Sequence, residues 1–207
     1  AFIGLFERNG QIIKLDHYMF ETICAKQKQL IEQGAAALPI AVNFSKAHLY
    51  DRGFAECLSE TADKAGIPKS LLEIEFTETA VTDETENALC SIRELKRAGF
   101  VLAMDDFGSG YSSLNTLKDL PFDVLKLDRG FLQMSSESGD RGRKIICGVI
   151  GMSKELSFKT VAEGVETEEQ YDFLRDCGCD VIQGYYFSRP VDDDTYTAML
   201  MEQSRKM

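Results

Sequence analysis

One repeated order of segments limits the folds open to this chain. Helical periodicity of apolar residues covers 15–33, 47–65, 83–98, 140–156 and 167–177. Short apolar runs that end in polar residues lie at 38–45, 71–78, 100–107, 123–128, 158–165 and 181–188, with a short helix expected over 112–120. Because the two patterns alternate with little linker, they predict parallel βα units. These units fit most of a (β/α)8 barrel or an open doubly wound sheet.

The predicted helix ends carry recognisable signals. Thr167 with Gln170, and Asp83 with Glu86, have the spacing of an N-terminal capping box. Glycines stand where a left-handed residue normally ends a helix: Gly34, Gly66, Gly99 and Gly178. The boundaries therefore agree with the periodicity.

Size and charge limit the class of partner. The 207 residues, 44% hydrophobic and 28% charged, predict one soluble domain over 1–207. A net charge of -11 without a basic segment excludes DNA and an anionic membrane surface as partners, so a small anionic substrate needs cations. No apolar run is long enough to span a bilayer. We expect a cytoplasmic chain, or the cytoplasmic part of a membrane-anchored protein.

The six cysteines lack CxxC or CxxH spacing. They stand mostly alone in apolar helical positions. This pattern predicts reduced, buried thiols, as in a cytosolic protein.

Two adjacent aspartates, Asp105 and Asp106, close the run FVLAMDDF. Strict alternation would place them on opposite faces of a strand. We therefore expect the strand to end between them, so that both carboxylates reach the mouth of the sheet, where parallel α/β proteins place their active sites.

Other runs also carry a ligand-type residue near their end: Asn43, Glu75, Lys126, Glu163 and Gln183. Clustered carboxylates repel one another unless cations neutralise them. Oxygen donors without histidine or thiolate favour Mg²⁺ or Mn²⁺, and a paired aspartate suits two-metal phosphoester hydrolysis. A kinase DFG motif lacks its companion motifs, and no serine elbow with a catalytic histidine is present.

Six segments together resemble the EAL domain family, bacterial phosphodiesterases of the second messenger cyclic di-GMP. They are VNFS (42–45), EFTE (75–78), DDFGSGYSSL (105–114), LPFDVLKLDRGF (120–131), VAEGVETEEQ (161–170) and QGYYFSRP (183–190). The resemblance runs from about residue 2 to 190. It implies a (β/α)8 TIM-barrel-like fold and hydrolysis of cyclic di-GMP to linear pGpG with two Mg²⁺ or Mn²⁺ ions.

The resemblance also implies roles for individual residues. The implied metal ligands are Asn43, Glu75, Asp105 and Asp106. By the same resemblance, Lys126 and Glu163 would position or deprotonate the attacking water, while Glu166 and Gln183 would support the second metal and its water shell. The resemblance further implies that Glu78 anchors a regulatory loop that includes Phe107, Gly108, Ser109 and Gly110.

The family's Glu-x-Leu motif and the arginine that follows it are absent from this sequence. The first strands of the barrel are accordingly expected to be missing, and the domain to be N-terminally incomplete. Either the residues belong to a longer product, or a shortened domain has lost its enzymatic role. We expect weak or no hydrolysis by these residues alone.

Several functions remain open from the sequence. A metal-dependent phosphodiesterase is expected first, a non-catalytic cyclic di-GMP receptor second, and a signalling interaction module third. The resemblance also implies a homodimer formed through the barrel, and fusion to sensor or diguanylate cyclase domains in the parent protein.

Overall fold

The computed structural model describes residues 3–82, 86–108, 120–130, 133 and 139–205. Its α-helices are α1 (Ile3–Asn9), α2 (Ile12–Glu32), α3 (Phe54–Ala65), α4 (Glu78–Thr82), α5 (Glu86–Ala98), α6 (Asp140–Glu155), α7 (Glu168–Asp176) and α8 (Asp193–Ser204). Short 3-10 helices cover Lys46–Tyr50 and Lys69–Leu71. Within these ranges, we find no helix with the length and apolar character that a membrane span requires.

The strands are β1 (Ile40–Asn43), β2 (Leu72–Thr77), β3 (Val101–Phe107), β4 (Val124–Leu127), β5 (Lys159–Ala162) and β6 (Val181–Ile182). In the described part of the chain they belong to one sheet in the order β1-β2-β3-β4-β5-β6. The registers of β1 with β2 and of β3 through β6 are parallel. The order follows the chain without the reversal of a doubly wound sheet, so the barrel-type alternative is confirmed.

The predicted helix over 47–65 is wrong in its first part. Residues 46–50 form a 3-10 helix and α3 begins only at Phe54. Ser45 caps the 3-10 helix by accepting a hydrogen bond from the Ala47 N–H, which stabilises a separate short turn. At the other end of α3, Gly66 has φ 74°, as its predicted C-terminal position requires.

Other boundary predictions had different outcomes. The capping box of Thr167 and Gln170 is confirmed at the start of α7. Asp83 and the helix expected over 112–120 lie largely outside the described residues. Helical periodicity did not predict α8, which begins where the Asp192 side chain accepts a hydrogen bond from the Thr195 N–H.

The chain divides into two compact units, which we describe separately. The first comprises the described parts of 1–76, 83–102 and 191–207. Its core is rich in aromatic rings: Phe20, Phe44, Phe54, Phe76 and Phe100 are almost fully buried. Edge-on contacts, such as Phe44 with Phe54 at 5.1 Å between centroids, favour these rings packing together.

A buried histidine lies beside this aromatic core. His48 is fully buried, and its Nε2 lies 3.0 Å from Asp16 Oδ2. The same oxygen accepts a hydrogen bond from the Ser45 N–H. His48 therefore has a structural partner within this unit.

The second unit comprises the described parts of 77–82 and 103–190. All four residues of β4 are buried. Ile146 and Ile150 of α6, and Leu174 of α7, are also almost fully buried. Burial of this apolar surface stabilises the unit and holds the ends of β3, β4 and β5 in place.

The expectation that all cysteines are reduced and buried is wrong for this structure. Cys147 of α6 and Cys177, at the end of α7, form a disulfide across 30 residues of sequence. Of the four free thiols, Cys24 is buried while Cys57 and Cys90 are exposed. Spacing along the chain cannot reveal this disulfide, because two separate helices bring its sulfurs together.

Candidate active site at the strand ends

The aspartate pair lies within β3, and the expectation that the strand ends between its members is wrong. β3 continues to Phe107, but its register with β4 shifts between Met104 and Phe107. Asp106 has a φ of 57°, a left-handed conformation that aspartate tolerates better than most residues. A bulge of this kind breaks strict alternation, so the two adjacent carboxylates need not face opposite sides.

Lys126 of β4 joins the aspartate pair to the next strand. Its Nζ lies 2.7 Å from Glu163 Oε1 and 3.3 Å from Asp105 Oδ1. The lysine is 8% exposed, so its charge would be costly without these carboxylates. One cation thus links residues at the ends of β3, β4 and β5.

The contact between Lys126 and Asp105 is an ion pair rather than a well-directed hydrogen bond. Asp105 Oδ1 is buried and accepts no hydrogen bond from the described residues, although Lys126 Nζ is 3.3 Å away. We attribute this to the ammonium pointing its donors mainly towards Glu163, which is closer. The aspartate oxygen therefore retains capacity for another cationic partner.

Asp106 experiences a crowded acidic environment. Burial raises the pKa of its carboxyl above the ordinary value, and the negative charges of Asp105, Asp128 and Glu163 raise it further. Lys126 opposes this effect. Any added positive charge at this point would relieve the repulsion.

Glu166 is oriented from two directions. Its carboxylate lies 3.0 Å from the Arg129 guanidinium, and its backbone N–H donates to Gln170 Oε1 at 2.8 Å. The same glutamine completes the capping box of α7. The first turn of α7 therefore determines where Glu166 stands.

The turn between Glu163 and Glu166 has little free space. Gly164 has φ 70°, and a Cβ there would lie 3.0 Å from the Arg129 side chain. At Gly184 a Cβ would lie 2.0 Å from the Val165 carbonyl oxygen. These close approaches fix the backbone that carries both glutamates.

Gln183 lies directly after β6. Its N–H donates to the Ala162 carbonyl at 2.8 Å, and its carbonyl accepts from the Val165 N–H at 3.1 Å. Its side chain is exposed. The backbone of this segment therefore extends the pairing of β5 with β6.

Glu78 binds the start of the expected regulatory loop. Its buried carboxylate accepts a hydrogen bond from the Gly108 N–H at 2.8 Å. Phe107, the last residue of β3, is buried. Ser109 and Gly110 lie outside the described residues.

In the first unit, Asn43, the last residue of β1, faces Glu75 within β2. They are partners in the parallel register, and the Asn43 amide donates to Glu75 Oε2 at 2.9 Å. Glu75 is 2% exposed. This pair offers two oxygen donors of the type that hard cations prefer.

The donor types fit a divalent cation, although the described residues do not form a preformed cage. Within the described ranges, no three His, Cys, Asp or Glu side chains are placed to hold an ion together. The buried Asp105 oxygen and the raised pKa of Asp106 nevertheless favour positive charge at the aspartate pair. Carboxylate and amide oxygens suit Mg²⁺ or Mn²⁺ better than Zn²⁺.

Two residues with clear positions in this geometry were not identified as site residues from the sequence. Asp128 contributes to the raised pKa of Asp106, and Arg129 pairs with Glu166. Asp128 follows Lys126 by two residues and therefore shares its side of the strand, a signal that alternation provides. Nothing in the local sequence indicates the partner of Arg129.

Comparison with known proteins decides the family. The model of the EAL domain matches residues 1–190. This chain belongs to the EAL domain family. Its EAL domain is 38% identical over 190 residues to the cyclic di-GMP phosphodiesterase NbdA of Pseudomonas aeruginosa, a match that covers 92% of this chain. The chain spans 24% of the length of NbdA.

Solved structures of EAL domains share the fold. The PaMucR phosphodiesterase in complex with c-di-GMP superposes with a TM-score of 0.87 at 31% identity, covering 94% of this chain and 78% of that one. The EAL domain of DcpA from Mycobacterium smegmatis gives 0.84 at 31% identity, covering 91% and 84%. The predicted α/β, TIM-barrel-like EAL fold is confirmed, with six strands in the described residues.

Proposed function

We propose that this EAL domain hydrolyses one phosphodiester bond of cyclic di-GMP to give linear pGpG. The proposal rests on the position of Lys126 between Glu163 and Asp105. This arrangement places one cation and two carboxylates near the ends of neighbouring strands. The relative NbdA is named a cyclic di-GMP phosphodiesterase, and the structural relative PaMucR holds c-di-GMP. Both support the same substrate.

Divalent ions are part of the proposal. The proposed ligands are Asn43, Glu75, Asp105 and Asp106. Two Mg²⁺ or Mn²⁺ ions, when bound, would supply positive charge for the phosphate and a more acidic water. The acidic surroundings of Asp106 support this assignment.

The chain's own side chains would handle the proton. Glu163 would accept a proton from the attacking water, while the Lys126 ammonium, 2.7 Å from Glu163 Oε1, holds that carboxylate in one orientation. Water adds across the P–O bond, and the leaving sugar oxygen takes up a proton. Lys126 would also stabilise negative charge that develops on the phosphate.

Glu166 and Gln183 would bind water beside the reacting group. The ion pair with Arg129 and the hydrogen bond to Gln170 support a fixed position for Glu166. The backbone hydrogen bonds of Gln183 to Ala162 and Val165 support a fixed backbone position, from which its exposed side-chain amide extends. Both residues would thus contribute to positioning rather than to bond cleavage.

The segment from Phe107 to Gly110 would act as a regulatory loop, anchored by Glu78 through the Gly108 N–H. We further propose that the domain pairs with a second copy of itself and is attached to sensor or diguanylate cyclase domains. A relative supports such an attachment, the bifunctional diguanylate cyclase/cyclic di-GMP phosphodiesterase MucR of Pseudomonas aeruginosa, 33% identical over 191 residues. That match covers 92% of this chain and 28% of MucR.

The test is hydrolysis of cyclic di-GMP by the purified full-length parent protein with Mg²⁺ or Mn²⁺, with pGpG separated chromatographically and nucleotide binding measured by calorimetry. Asp105→Asn is expected to abolish turnover, whereas Asp194→Asn, an exposed change in α8, should preserve it. Tight binding without turnover would make the domain a receptor. Absence of binding would leave an interaction module, and either result overturns the proposed enzyme.

A further inference from the structure

We propose that Cys147 and Cys177 form a reversible, redox-sensitive disulfide that controls the position of Glu166. The two cysteines belong to α6 and to the end of α7, with their Cα atoms 5.1 Å apart. The pair itself stands on this geometry alone. Its consequence for hydrolysis rests on the function proposed above.

The disulfide is one of three contacts along a single helix interface. On α6, Arg143 precedes Cys147 by four residues, so both lie on one face. On α7, Glu169 and Phe173 precede Cys177 by eight and four residues. The Arg143 guanidinium hydrogen-bonds to Glu169 and lies 5.1 Å from the centroid of the Phe173 ring.

These contacts differ in how strongly they hold the helices. Arg143 and Glu169 are well exposed, and such an ion pair contributes little to stability because solvent screens it. The cation–π contact of Arg143 with Phe173 is likewise weak, because the guanidinium is exposed to solvent. The covalent bond is therefore the strongest single link between α6 and the end of α7.

The other end of α7 carries the site residue. Gln170 Oε1 accepts hydrogen bonds from the N–H groups of Glu166, at 2.8 Å, and Thr167, at 3.2 Å. Glu166 in turn pairs with Arg129. Because α7 has only nine residues, a shift at its C-terminal end moves its first turn as a rigid rod.

The disulfide is also accessible to reagents. A cleft of about 600 Å³ is lined by Arg143, Cys147, Phe173, Cys177 and neighbouring acidic residues. Both bonded cysteines are half-buried. Cys24 provides a contrast, since burial raises the pKa of its thiol to about 11 and leaves it unreactive.

The chemistry balances with a small disulfide as oxidant, for example oxidised glutathione. One thiolate attacks the glutathione disulfide and releases one glutathione thiol. The second cysteine then displaces the other, so two protein thiols lose two electrons and two protons and the oxidant becomes two thiols. In a reducing compartment, such protein disulfides are usually transient and regulatory.

The first test follows the bond in the intact protein. The protein is equilibrated in buffers from fully oxidised to fully reduced glutathione, free thiols are alkylated, and peptides are identified by mass spectrometry. We expect Cys147 and Cys177 to become alkylated together as reduced glutathione rises, and to be joined to each other when oxidised glutathione dominates, whereas exposed Cys57 forms a mixed disulfide with glutathione. A bond that persists in fully reduced glutathione, or thiols that stay free in fully oxidised glutathione, would overturn the proposal.

The second test measures the consequence for α7 without relying on activity. Hydrogen exchange of the amides in 166–171 should be about tenfold faster in the reduced wild-type protein, and Cys147→Ser should reproduce this under oxidising conditions. Cys57→Ser should leave the redox response intact. Equal exchange in both redox states would overturn the control of Glu166.

Turnover of cyclic di-GMP by the full-length parent protein in the same two states separates the proposals. A lower rate in the reduced form supports both. Faster hydrogen exchange in the reduced form, with no turnover in either state, contradicts the proposed enzyme but supports the redox-sensitive disulfide. Faster hydrogen exchange with unchanged turnover contradicts only the proposal that the disulfide regulates hydrolysis.

Discussion

Lys126 Nζ lies 2.7 Å from Glu163 Oε1 and 3.3 Å from Asp105 Oδ1, so one ammonium serves two acidic strand ends. Lys126→Met should leave these carboxylates without their cation and lower the free energy of unfolding by about 2 kcal/mol. This loss is smaller than for a fully buried ion pair, because the Glu163 side chain is partly exposed to solvent. Hydrolysis of cyclic di-GMP by the full-length parent protein should fall at least about 100-fold. Urea unfolding and product formation are the measurements.

The matched control for this change is Lys159→Met on neighbouring β5. Lys159 is exposed, so the same substitution should alter stability by no more than about 0.5 kcal/mol. Equal losses in the two variants would contradict a special contribution from Lys126.

Asp106 allows a test of the acidic repulsion. Without divalent ions, Asp106→Asn should raise the free energy of unfolding by roughly 0.5 kcal/mol, because it removes a charge that Asp105, Asp128 and Glu163 disfavour. Asparagine also tolerates the φ of 57°. Alanine tolerates this left-handed conformation less well, so the Asp106→Ala variant should be less stable than the Asp106→Asn variant by about 1 kcal/mol. Thermal unfolding without and with added Mg²⁺ compares them.

Glu78 allows a test of the loop anchor. Glu78→Ala removes the acceptor of the Gly108 N–H and should cost about 1–3 kcal/mol, because the side chain is buried. Glu78→Gln retains an oxygen acceptor and should cost less. The Gly108 amide should exchange its hydrogen fastest in Glu78→Ala, which NMR can follow; identical exchange in all three proteins would contradict the anchor.

Two glycines of the second unit provide a matched pair of alanine substitutions. Gly184→Ala should destabilise the protein by at least about 2 kcal/mol and impair the Glu163–Glu166 turn, since its Cβ would lie 2.0 Å from the Val165 oxygen. Gly148→Ala, within α6 and with open space around the added Cβ, should stabilise by about 0.5–1 kcal/mol. Changes of the same sign in chemical denaturation would contradict the packing argument.

His17 gives a prediction for pH. Burial lowers the pKa of its imidazole, and the neighbouring His48 lowers it further, against the raising influence of Asp16, Glu21 and Asp51. A lowered folded-state pKa means that the unfolded chain binds the proton more tightly. His17 therefore favours folding above its ordinary pKa, and this contribution is lost as the pH falls through the folded value.

The test substitution is His17→Gln. The melting temperature of the wild type should fall more than that of the variant between about pH 7.5 and about pH 5.5. Circular dichroism at several pH values measures the difference. A steeper fall in the variant would contradict the sign of the shift.

Much of the fold was predictable because its signals are local. Each of the six strands lies inside an apolar run recognised from the sequence, and Gly66 and the capping box at Thr167 mark helix ends as expected. The break between the 3-10 helix at Lys46–Tyr50 and α3 was missed because both parts share helical periodicity. Periodicity reports which face is apolar, and it does not distinguish two short helices from one long helix.

The sequence by itself determined that polar residues end the parallel strands and that the chain has the motifs of an EAL domain, since both depend on residues close together along the chain. Only the tertiary structure decided that Asp106 lies in a bulge, that Arg129 pairs with Glu166, and that Cys147 joins Cys177. The two pairings link distant parts of the chain, and the bulge depends on the register between neighbouring strands. Their geometry follows from how helices and strands pack, which alternation along one strand cannot specify.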